Sequence, residues 1–169
     1  MNYYLLILRI LHIGAGVYWV GSTLLLALVI TPALKATGGS GQKFIDYLIT
    51  KKRFGTESAG AGGMTGLAGF LLYWHDSQGF TSAWMDSSAG IGFGVGALFG
   101  LIAFIFGVLT DRRLKAMAQL REQLESAPSD ETTSQLQELE KQQTTYLNIC
   151  AVTLTLSLWI MAVARYLVF

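Results

Sequence analysis

One cysteine, two histidines and two prolines are all that the 169 residues hold of those types, and only 14% are charged. Each scarcity excludes something. Cys150 stands alone in an apolar run, so the chain makes no internal disulfide framework and no metal cluster built from cysteines alone. Charge is about half the roughly 25% usual in soluble domains, and a net charge of +1 gives no overall attraction to nucleic acid. No glycine loop of the phosphate-cradling kind precedes a basic residue, and no nucleophile neighbours a histidine in sequence, so no catalytic residue is assigned. Nothing alternates in the manner of a membrane barrel. The first apolar run, Tyr3 to Ile30, has no basic start and is too long for a signal-peptide core; it is expected to be a retained helix.

What is present is hydrophobic length. Apolar residues make up 52% of the chain and mean hydropathy is +0.46. A bilayer core of about 30 Å takes about 20 apolar helical residues, and four stretches offer them: about 3–31, ended by Pro32, then about 57–74, 89–110 and 147–169. In lipid the backbone must satisfy its own hydrogen bonds, so these stretches are expected to be helices. The fold expected is all-α: one domain over 1–169, an integral membrane four-helix bundle.

The connections differ. Between the first two helices lies a flexible Thr37-Gly38-Gly39-Ser40-Gly41 stretch, then an amphipathic segment with Phe44, Ile45 and Leu48 at helical spacing, then the basic run Lys51, Lys52 and Arg53. Residues 75–88 are short and polar, with Phe80 and Trp84 suited to a membrane interface. Residues 111–146 are charged but periodic. Leu114, Met117, Leu120 and Leu124 recur every three or four positions, and Leu136 and Leu139 resume the spacing after Pro128. Polar Gln143 weakens that second stripe, while Ser129, Asp130 and Glu131 suggest a capped, acidic helix start. The pattern predicts an antiparallel hairpin that extends helices three and four by roughly 20 Å. Ten of the twelve basic residues fall in the 1–2 and 3–4 connections; Arg9 and Arg165 are the other two. By the positive-inside rule the hairpin is cytoplasmic and both termini are outside, in the plasma membrane.

Ionisable residues within spans usually face the bundle interior. Arg9 and His12 share a helix face, being three apart, and the topology puts His75 and Arg165 in the same outer half. Bland readings stand beside this: both arginines can snorkel, His75 can simply open a loop, and His12 can make a structural hydrogen bond. Gly92, Gly96 and Gly100, with Gly62, Gly66 and Gly69, permit close helix approach, or room for a flat ring. Met85 and Met161 lie towards the outer side and offer soft ligands for copper beside the histidines.

His12-Ile13, then Trp19-Val20-Gly21, resembles the first-helix signature of the CopD (copper-resistance protein D) group, which the HemJ type of protoporphyrinogen oxidase shares in part. Arg53-Phe54, Thr65-Gly66, the glycine-rich third helix and the basic pair Arg112 and Arg113 extend the likeness across the four helices, though not the hairpin. The small uncharacterised members are the most similar. The resemblance implies a first-helix histidine poised for haem b, with copper handling as the alternative. On that reading His12 is an axial or metal ligand, His75 a second, Arg9 and Arg165 hold propionates, and Trp19 belongs to the cofactor-binding set. The remaining expectation is an accessory or scaffold subunit that meets other membrane proteins through its glycine faces and hairpin.

Overall fold

The computed structural model describes residues 3–167, all helix and connecting turns, with no strand among them. The helices are α1 (Tyr3–Leu25), α2 (Thr31–Thr37), α3 (Gly39–Thr50), α4 (Phe54–Asp76), α5 (Ser88–Ser126) and α6 (Asp130–Val163). Three continuous runs are long and apolar enough to cross a bilayer: Tyr3–Thr37, Ser88–Ser126 and Asp130–Tyr166. α4 has the length, at 23 residues, but its six glycines and scattered hydroxyls keep it below that apolarity.

Pro32 does not end the first helix as expected. A π-helical turn, Leu26–Ile30, joins α1 to α2, and the helix continues to Thr37. Proline inside a helix loses one hydrogen bond and crowds the carbonyl four residues back. In the wider turn the Thr31 N–H reaches Leu26 O instead, which loosens the ladder where the ring must fit. The glycine stretch is likewise a tight break, not a long flexible one. Gly38 alone takes φ +58°, and α3 follows at once.

Small residues set the packing. α1 and α4 run antiparallel: Trp19 lies over Gly62, Gly16 meets Thr65, and Ser22 Oγ is 3.0 Å from Ser58 Oγ. α5 and α6 are antiparallel too. Gly92 and Gly96 press on Ala164 and Met161, Ser157 Oγ donates to Gly96 O at 2.7 Å, and Cys150 Sγ donates to Ala103 O at 3.2 Å. The glycine spacing thus has its ordinary use, backbone approach. Trp19, Ala103, Cys150 and Leu154 form one core cluster; Leu26, Ile45, Ile49, Leu114 and Leu147 form another beneath it. Apolar side chains such as Leu98, Leu101 and Trp159 remain exposed on the outer faces, as a lipid surrounding requires.

α5 spans 39 residues, about 58 Å at 1.5 Å per residue and roughly twice the bilayer core. Its second half pairs with the first half of α6, burying Leu114, Met117 and also Gln143, with Leu120, Leu124, Leu136 and Leu139 half-buried. Tyr146 closes the stripe against Phe106 and under Arg113. Ser129 occupies the N-cap position of α6, but its side chain makes no cap.

Candidate functional site

His12 is half-buried between α1 and α4. Its Nδ1 lies 2.8 Å from Thr65 O, and since a carbonyl only accepts, Nδ1 is the donor; in a neutral ring Nε2 then holds the lone pair. The ring sits where Gly69 has no side chain; a Cβ there would stand 2.7 Å from Cε1. Gly62 lies under the Trp19 ring and Gly69 under the His12 ring, so here too the glycines serve helix packing. Trp19, only 5% exposed, makes an edge contact with Phe104 and belongs to the core.

The other expected site residues lie toward the same end of the helices but do not meet His12. His75 is exposed, with Nδ1 3.3 Å from Asp76 Oδ1. It follows Gly69 by six residues, about 9 Å along α4, so the two imidazoles occupy different levels. Arg165 is exposed, its guanidinium 6.0 Å from the centre of the Phe93 ring, and Arg9 is exposed on α1. Among the described residues no group of three or more His, Cys, Asp or Glu side chains is placed to hold a metal ion. Met161 packs on Gly96, and Met85 backbone atoms crowd Gly90.

At the opposite end, sequence reasoning passed over a polar set. The Asp111 carboxylate lies against Gly55 in the first turn of α4, where the helix macrodipole favours an anion. Lys115 Nζ donates to Asp111 Oδ2 at 2.6 Å and to Thr56 Oγ1 at 3.2 Å. Beside it a cavity of about 40 Å³, lined by Ser22, Ser58, Thr110 and Asp111, has room for water. Further along, Arg121 Nη1 donates to Asp46 Oδ1 of α3 at 2.7 Å, and Nη2 reaches Glu140 Oε1 of α6 at 3.5 Å. With its side chain 15% exposed, Arg121 clamps three helices together. Only its place in a charged stretch hinted at this; the acidic partners are 75 and 19 residues distant.

No family model, curated protein or solved structure matches the chain. The likeness to the CopD group rests on the residues quoted for it.

Proposed function

We propose that the chain is a non-catalytic accessory subunit of a membrane assembly. In this reading four helices cross the bilayer, both termini lie outside, and the α5–α6 hairpin is a cytoplasmic partner surface. α4 is about 34 Å long, enough to cross, and packing against α1 and α5 shelters its weakly apolar sequence. The observation that carries the reading is the mounting of the hairpin. α5 leaves the apolar region without a break, Arg121 ties it to α3 and α6, and the outer faces stay charged and exposed. A stiff polar projection of that kind is a docking element. The polar residues inside the spans, His12, Ser22, Ser58 and Ser157, are engaged in holding helices together. Native electrophoresis of gently solubilised membranes tests this. The chain should migrate in a complex larger than itself, and replacing residues 118–139 by a short loop should release it. Migration alone in both forms refutes the proposal.

A second reading has one specific observation behind it. An imidazole with Nδ1 anchored on a carbonyl and Nε2 unprotonated is the form that ligates haem iron. If haem b binds, purified protein shows a Soret band that His12→Ala abolishes or shifts. Replacing Arg9 or Arg165 then weakens retention without removing the iron ligand. Protein without haem absorbance that takes up none on addition ends this reading and leaves His12 as an interhelical hydrogen bond.

A further inference from the structure

A cavity of about 90 Å³ lies between α2, α3 and the base of the hairpin. Two amides line it. Gln143 is 5% exposed, and Gln42 Oε1 is buried with no hydrogen-bond partner among the described residues. Leaving a buried carbonyl unsatisfied costs about 1–3 kcal/mol, so the cavity favours an occupant with a hydrogen-bond donor. Lys35, Arg121 and Glu140 also line it, and Asp46 lies behind Arg121. Arg121 is already paired with Asp46 and Glu140, so the charge left for a ligand is that of Lys35, which suits a phosphate. The buried Gln42 carbonyl calls for an N–H donor, and a zwitterion meets both.

Depth narrows the ligand further. Leu26 on the wall is about 35 Å from the start of α1, Leu114 about 39 Å from the start of α5, and Gln143 about 30 Å from the end of α6. With the outer helix ends at one face of a hydrocarbon core of about 30 Å, these distances put the cavity at or just beyond the other face, at headgroup level. Leu26, Leu34 and Ile45 supply an apolar wall on which an acyl chain can lie.

We propose that this cavity binds a phospholipid headgroup carrying both a phosphate and a primary ammonium. Lys35 faces the phosphate, and the ammonium N–H groups donate to Gln42 Oε1, the Gln143 side-chain oxygen and the Glu140 carboxylate. A trimethylated ammonium has no N–H to donate, and an anionic headgroup without an amine leaves the acceptors unmet. Native mass spectrometry of the full chain, in micelles doped equally with dioleoyl phosphatidylethanolamine, phosphatidylcholine and phosphatidylglycerol, tests the assignment. Ethanolamine lipid should be retained over each of the others by about tenfold. Gln42→Leu and Gln143→Leu should each bring the ratio near one while helicity by circular dichroism is unchanged. If Gln143→Leu fails to fold, Gln42→Leu decides, because it removes a carbonyl with no protein partner. Free phosphoethanolamine in lipid-free micelles separates the sources: a thermal shift with it, but equal lipid retention, overturns the membrane source in favour of a soluble one. Equal retention with no such shift, or a preference that survives both substitutions, overturns the site.

Discussion

Gly69 and His12 are a matched pair, and the match has a measurable consequence. Gly69→Ala places a methyl against an imidazole held at the far side by Thr65 O, so the helices must part or the ring must leave its hydrogen bond. Overpacking of this kind costs about 1–3 kcal/mol. His12→Ala alone should cost about 0.6 kcal/mol and not more than about 1.7, the average and the maximum for hydrogen bonds between membrane helices. The double variant should cost less than the sum of the two, as read from unfolding of the detergent-solubilised protein in SDS titrations. Additivity would mean that the ring does not sit on Gly69. From sequence, His12 was recognisable by its depth in an apolar run, and its hydrogen-bonding role was among the expectations. Its partner was not recognisable, because a backbone carbonyl leaves no mark in the residue types. Gln143 is a related case. A polar residue in an apolar stripe reads as a fault until the opposite wall is seen to hold Gln42 and Arg121.

Helix packing separates glycines that look alike in the sequence. Gly96 is buried against Met161 and Ser157, whereas a Cβ at Gly66 meets nothing within 4 Å. Gly96→Leu should therefore destabilise the protein by about 1–3 kcal/mol, and Gly66→Leu should be close to neutral in the same assay. Equal effects would remove the distinction. The Arg121 clamp gives a second element-scale expectation. Arg121→Met strands Asp46 and Glu140, which are only partly buried, so the loss should be about 1–3 kcal/mol, less than for a fully buried pair. It should appear first as faster backbone hydrogen exchange in α3. Helix positions were largely legible, since apolar length and period-four spacing register directly in the sequence. What escaped was continuity. Pro32 and the glycines at 38–41 are ordinary stop signals, yet the chain passes Pro32 by widening one turn and confines the break to Gly38.

At the scale of the whole molecule, topology is the statement most open to experiment. Ser77, in the 75–88 connection, is fully buried, its hydroxyl accepting from Phe80 N, so it does not suit labelling from outside. Exposed Thr81 is the better position, with Ser129 at the opposite tip. In intact cells a cysteine at residue 81 should react with an impermeant maleimide and one at residue 129 should not; the reverse would invert every assignment of side. The unbroken α5 carries one further consequence. A rod about 58 Å long, gripped near its middle, is a lever: a tilt of about 10° imposed on its lipid-embedded half displaces the far tip by several ångströms. A change in bilayer thickness, which embedded helices accommodate in part by tilting, would then be transmitted to whatever rests on the tip, with no joint along α5 to absorb the motion.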